Sequence, residues 1–248
     1  MNIFWQNIKN EYFKLAHRKK YLIFMIIEIV ICVCVLLIQV AASRVMDGKV
    51  VLQINNLAMA MLSFFIIIYI PMVVFMASSD LFSVEMSDNS MKAVLMRPIS
   101  RAKVFFSKTI AVSAFAVQYL IALLLITTIL ELISSGSGLR FWSSLGAYLL
   151  DIIPLIIVVL MAVFINQFTK SSSLTMFVCI LIYAVFYIVG IFVPAASGLF
   201  FIGYMQWHKL WMGAYIPLTA MLSKIGILCG YGLVFGGAGF YIFDKRDF

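Results

Sequence analysis

Two acids sit in stretches otherwise too apolar to solvate them: Glu28 within residues 21–42 and Asp151 within residues 144–168. A carboxyl at membrane depth is costly, so each is a candidate for lining a solute path. A packing or interfacial hydrogen bond is the plainer role. Two such acids could also form a proteolytic dyad, but the topology derived below puts Glu28 towards the inner side and Asp151 towards the outer. Asp151 lies near enough to the outer end for its helix N-terminus to stabilise it. The two histidines, His17 and His208, stand far from any nucleophile signature, and no H-E-x-x-H occurs. Gly136-Ser137-Gly138 has no histidine near it in sequence. Cys32, Cys34, Cys179 and Cys229 all lie in apolar runs, with no metal-ligand spacing. Cys32 and Cys34 would point about 200° apart on a helix. No G-x-x-x-x-G-K-[ST] loop is present, and no polar stretch is long enough to house a nucleotide-binding domain. No catalytic, cofactor or metal site is therefore expected in this chain. If ATP is used, another chain binds it.

The elements that must position these residues follow from composition. Of 248 residues, 65% are hydrophobic and 11% charged, with mean hydropathy +1.11. Soluble domains carry roughly 45–50% apolar and about 25% charged residues. A cytosolic enzyme, a secreted disulfide scaffold and a disordered chain are excluded. Six apolar runs are long enough to span a bilayer: 21–42, 57–77, 109–132, 144–168, 174–193 and 221–243. The expected fold is an all-α membrane protein forming a single domain over 1–248. Pro71 and Pro154 fall inside spans and are expected to kink them. The first run exceeds the 7–15 residues of a cleavable signal's apolar core and is read as mature structure. With the N-terminus inside, 13 of the 18 Lys and Arg residues fall on the inner side and 5 on the outer. That asymmetry places both termini in the cytoplasm. The net charge of +8 is then a topology signal rather than a nucleic-acid footprint.

Outside the spans, residues 1–20 form an amphipathic candidate. Phe4, Trp5, Ile8, Tyr12 and Leu15 fall within about 100° of helical arc. This pattern suits a helix in the cytoplasmic interface, although a basic flank that only sets topology would carry the same charges. Residues 195–216 carry Phe200, Tyr204, Trp207, Trp211 and Tyr215 at intervals of 4, 3, 4 and 4, one narrow helical stripe. Aromatic side chains favour the membrane boundary, so this segment reads as a short outer helix; a lid over an exit path is compatible with it. Gly226, Gly230, Gly232 and Gly236 form two small-xxx-small steps in the last span, where another helix can approach closely.

The longest cytoplasmic connection, residues 78–108, holds eight charged residues, acids first (Asp80, Glu85, Asp88) and bases after (Lys92, Arg97, Arg101, Lys103, Lys108). Pro98 disfavours helix at Arg97 and breaks the segment. A short helix–turn–helix standing off the membrane results, a surface suited to docking a soluble partner; a solvated loop whose bases anchor topology is the plainer reading. Its run Glu85 … Asn89-Ser90-Met91-Lys92 … Arg97-Pro98-Ile99-Ser100-Arg101 … Lys108 resembles the cytoplasmic loop of ABC-2-type transporter permeases. The Arg-Pro-Ile-Ser-Arg half matches the family pattern, whereas Asn89-Ser90 replaces the usual Gly-Thr. The six-span layout, the N-terminal amphipathic segment and Asp244-Lys245-Arg246-Asp247 are similar to the bacitracin-export and lantibiotic-immunity branch.

The resemblance implies a permease subunit in the plasma membrane, paired with a second copy or paralogue. A separate ABC ATPase would carry the ATP and Mg. Asp80, Glu85, Asp88, Lys92, Arg97, Pro98 and Arg101 would form the coupling element seated on that ATPase, between spans 2 and 3. Without a large outer domain, export of a peptide, antibiotic or other amphipathic compound is the expected direction. An ion-coupled secondary transporter using Glu28 or Asp151, and a non-transporting assembly factor, are the alternatives.

Overall fold

The computed structural model describes residues 3–45, 56–88, 90–96, 99–135, 141–193, 198–211 and 218–246. Arg97, Pro98 and Tyr215 lie outside them. The described residues form helices α1 (Ile3–Ala16), α2 (Lys19–Val45), α3 (Leu57–Phe64), α4 (Ile70–Leu81), α5 (Ser83–Ser87), α6 (Ser90–Leu95), α7 (Arg101–Ser135), α8 (Phe141–Asn166), α9 (Ser172–Phe192), α10 (His208–Trp211) and α11 (Leu218–Lys245). A π-helical turn, Phe65–Tyr69, joins α3 to α4, and a 3₁₀ turn, Phe201–Tyr204, precedes α10.

Six stretches are long and apolar enough to cross a membrane: Lys19–Ala41, Leu57–Ser87, Arg101–Ile133, Phe141–Asn166, Ser172–Phe192 and Met221–Lys245. They are the six spans expected from hydropathy, with two extensions at the charged end. The second continues through α5, and the third begins at Arg101 rather than at 109. At 1.5 Å per residue, the 35 residues of α7 reach about 52 Å, well beyond a hydrocarbon core of about 30 Å. Arg101, Lys103 and Lys108 therefore ride on one continuous helix instead of merely flanking it.

α7, α8 and the α3–α4 pair form the centre of the bundle, while α2, α9 and α11 present most of their apolar surface outwards. With lipid outside, apolar burial gives little drive to pack, and shape and hydrogen bonds decide which helices meet. Four tyrosines supply such bonds by donating to backbone carbonyls of other elements. Tyr119 donates to Tyr21 O (2.7 Å), Tyr148 to Ala58 O (3.1 Å), Tyr183 to Ile67 O (2.7 Å) and Tyr69 to Phe24 O. The Tyr183 bond has a local cause. Pro71 has no N–H, so the carbonyl four residues earlier, Ile67 O, loses its helical donor. The helix widens there into the π turn, with Ile70 N–H bonded to Phe65 O, and Tyr183 from α9 supplies the missing donor. The expected disturbance at Pro71 is thus a widened turn stapled by a neighbouring helix.

The glycines of the last span divide by face. Gly232 and Gly236 lie against Ile157 and Leu160 of α8, and a Cβ placed on Gly239 would lie 3.5 Å from Phe164 Cα and from the Phe105 ring. Gly226 and Gly230 meet open space. Close approach is therefore made within the chain, to α8. Gly239→Leu is expected to destabilise the bundle by about 1–3 kcal/mol through overpacking, while Gly226→Leu stays near wild type. Thermal unfolding midpoints in detergent compare the two, and equal midpoints would contradict the assigned faces.

A candidate functional site: the buried charge cluster

α1 supplies the first part of the site. Its protein-facing side is Asn7, Ile8, Glu11 and Leu15, with Phe4 and Tyr12 beside them, while Trp5 is 64% exposed. The packing arc is therefore rotated towards Asn7 and Glu11 compared with the apolar arc read from sequence. The reason lies on α7. Tyr12 donates to Gln118 Oε1 (2.5 Å) and meets the Phe115 ring edge-on, and Phe4 lies beside Ala102, Phe106 and Ile110. α1 thus follows α7 in the same direction along its extended N-terminal half. That course carries Glu11 over Lys108.

Lys108 has no exposed surface. Its Nζ lies 2.8 Å from Glu85 Oε2 and 3.1 Å from Glu11 Oε2. Lys14 completes the cluster, 3.1 Å from Glu85 Oε1 and 3.2 Å from Glu11 Oε1. Two acids and two bases thus close a neutral four-membered ring that joins α1, α5 and α7. Burial works against the Lys14 charge, but Glu11 and Glu85 outweigh it and hold its pKa above the ordinary lysine value of 10.5. A raised lysine pKa contributes fully at neutral pH and is lost only as pH rises through that raised value.

One turn before α5, the α4 carboxylate of Asp80 is also buried. It accepts from Lys20 (2.6 Å), Arg18 (2.9 Å) and the Tyr21 hydroxyl (2.6 Å). At the far edge, Arg101 Nη1 donates to Asp244 O (2.5 Å) and Arg246 O (3.0 Å), and Arg246 Nη1 to Gln167 O (2.6 Å). The start of α7 therefore clasps the last carbonyls of α11, where a cation suits the helix C-terminus.

The sequence grouped Asp80, Glu85, Asp88, Lys92 and Arg101 as one surface; the structure sorts them by depth. Asp80 and Glu85 are buried and ion-paired within the chain, and Arg101 is spent on the α11 carbonyls. Asp88 and Lys92 are exposed, on either side of the α5–α6 turn. Met96, just past α6, is 84% exposed. Sequence reading overlooked Met96, and its only signal was an apolar side chain next to the Arg-Pro break. It also missed a buried polar network beneath α5. Ser83 donates to Asn166 Oδ1 (2.7 Å) and pairs with Thr175 (2.7 Å), and Asn166 donates to Ser78 Oγ (3.0 Å). Hydroxyl and amide residues at the ends of three apolar runs were the available cue.

The two intramembrane acids separate completely. Asp151 accepts from the His208 backbone N–H at Oδ1 (2.8 Å), and its Oδ2 lies 2.6 Å from His208 Nδ1, with both residues buried. It fastens the aromatic segment to α8. That segment is not the single helix its spacing suggests: Tyr204 closes the 3₁₀ turn, Trp207 precedes α10, and Trp211 ends it. Tyr204 and Trp207 are buried, and Trp211 is 43% exposed. Phe200 stacks on Phe186 of α9, 5.1 Å between ring centroids. The break is a consequence of seating His208 on Asp151 and Trp207 in the bundle. Glu28, by contrast, is wholly buried, and neither of its oxygens has a hydrogen-bond partner.

Six helices long and apolar enough to cross a membrane, with a charge cluster tying α1, α5 and α7 together, define a multi-pass membrane protein. Residues 7–190 match the ABC-2 family transporter protein. The chain belongs to that family of transport permeases, and the match runs from α1 through most of α9. Comparison with curated proteins returns no match.

Lys108→Met leaves two buried carboxylates with only the half-exposed Lys14 between them, and a loss of about 3–5 kcal/mol is expected. Adding Glu11→Gln should recover part of it, a dependence that thermal midpoints of the single and double variants will reveal. His208→Ala removes the imidazole from Asp151 Oδ2, leaving only the backbone bond to Oδ1, and is expected to loosen the 198–211 segment. Limited proteolysis there should then proceed faster than in wild type; an unchanged cleavage rate would refute the latch.

Proposed function

We propose that this permease is the membrane subunit of an ATP-driven exporter whose ATP, with Mg, is bound by a separate ABC ATPase. The observation that carries this reading is the tip around α6, where the side chains of Ser87, Asp88, Ser90, Lys92 and Met96 are exposed and the buried Met91 anchors the helix next to the charge ring. Asp88 and Lys92 offer charge, and Met96 offers an apolar knob suited to a groove. A push on the tip acts on α5, and Glu85 passes it through Lys108 and Glu11 to α7 and α1 together. Such a rigid relay can bias two packings of a bundle, which is what coupling requires.

In this reading both termini and the tip are cytoplasmic, in agreement with the basic excess at that end, and the protein resides in the plasma membrane. A second permease, identical or paralogous, covers the outward apolar faces of the peripheral helices. The cargo is an amphipathic compound such as a peptide or antibiotic, as in the bacitracin-export and lantibiotic-immunity branch. Secondary transport through Asp151 is less well supported, because both oxygens of that carboxylate are engaged by His208.

Co-expression with the ATPase encoded beside it tests the docking role. Met96→Asp combined with Lys92→Glu is expected to lower recovery of the ATPase with the permease by at least tenfold, with the permease midpoint unchanged. Undiminished co-purification would remove the tip as the docking surface.

A further inference from the structure

Among the described residues, Glu28 is the one buried acid that the fold leaves with neither oxygen partnered. It has no exposed surface, and neither oxygen finds a donor. Its helix makes the burial more unusual. Only 17% of the apolar window of α2 is buried, along a thin seam through Tyr21, Glu28 and Cys32. Leu22, Ile26, Val30 and Leu37 all face outwards. An unpaired carboxylate at this depth is costly, so an acid there either rests in its neutral form or takes its charge only when a positive partner arrives.

No such charge comes from the described part of the chain. Arg18, just before α2, and Lys20, two turns from Glu28 on α2, are held by Asp80. Lys14 and Lys108 belong to the four-membered ring, and His208 is bound to Asp151. The titratable side chains within range of the Glu28 charge are Cys32 on α2, Tyr69 from the π turn, Tyr119 from α7 and Tyr148 from α8. None is a cation. Each tyrosine has already committed its hydroxyl hydrogen to a backbone carbonyl: Phe24 O, Tyr21 O and Ala58 O respectively. What remains is a carboxyl whose oxygens have no donor within the described residues. Such a group, once ionised, suits a cationic donor brought from outside and repels an anion.

We propose that Glu28 is the binding point for a cationic group of the transported solute, an ammonium or guanidinium on an amphipathic body, reached when the seam between α2 and the bundle parts. This rests on the transport reading above. The sealed state described here is then the occluded one, and α2 parting along its narrow seam opens it. The charge supplied by the solute replaces the partner that the protein withholds, so the open, loaded state gains an interaction that the empty one lacks.

Binding to the full-length chain in nanodiscs of zwitterionic phosphatidylcholine tests the assignment. The probes are N-dansyl-1,12-diaminododecane, which keeps a free terminal ammonium, and its neutral counterpart N-dansyl-12-aminododecan-1-ol, matched in chain length. Wild type is expected to bind the amine at least tenfold more tightly than the alcohol, and Glu28→Gln to erase that preference while still binding both. Glu28→Leu, which fills the seam with an apolar side chain, should raise the thermal midpoint and be equally indifferent to charge; it serves if the glutamine variant folds poorly. A tenfold amine preference that survives both substitutions overturns the inference and leaves the transport reading standing. If Glu28→Leu is stabilised but wild type shows no preference between bound probes, the acid serves only a proton or packing role, and the inference fails. If neither probe binds wild type, the amphipathic-cargo reading fails and the assignment falls with it.

Discussion

The ammonium of Lys108, buried without exposure between Glu11 and Glu85, is the contact on which the charged end of the molecule depends. A lone lysine at that depth could not remain charged, and two lone carboxylates would repel each other. Together with Lys14 they form a neutral unit that three separate elements must complete. The ring therefore specifies an arrangement more than it adds stability. It sets the register of α1 on α7 and holds α5 at a fixed height above the polar network of Ser78, Ser83, Asn166 and Thr175.

The same logic extends through the apolar body, where contact area alone discriminates poorly between helices. Hydroxyls that reach across to backbone carbonyls make specific junctions, and each occurs where a helix meets a neighbour. The π turn at Phe65–Tyr69 is the clearest example, because Pro71 creates an unsatisfied carbonyl that only an outside donor can fill. At the opposite end, Asp151 performs the corresponding task for the segment that includes Trp207 and His208. The bundle is thus clamped by polar contacts at both ends, while α2 stays joined along a thin line.

Much of this was legible in the residues. The positions of six spans follow from apolar runs long enough to cross hydrocarbon, and the charged segment between the second and third spans stands out because charge is scarce elsewhere. The resemblance carried by Arg97-Pro98-Ile99-Ser100-Arg101 agrees with the family match. The aromatic stripe was legible as a boundary element but not as a broken one, since helical spacing says nothing of a histidine that must turn inwards to meet an aspartate 57 residues earlier.

By itself, then, the sequence determined the class, the number and place of the spans, and where its few charges gather. These depend on composition and one-dimensional period, which a chain carries without folding. Only the tertiary structure decided what each charge does. Glu28 and Asp151 look alike as lone acids in apolar runs, yet one is bound twice by His208 and the other is left without a partner. Likewise Glu85 and Asp88, three residues apart, end up on opposite sides of the line between buried and exposed. The reason is physical: the energy of a charge depends on its nearest partners and on its distance from water, and both are fixed only when distant segments meet.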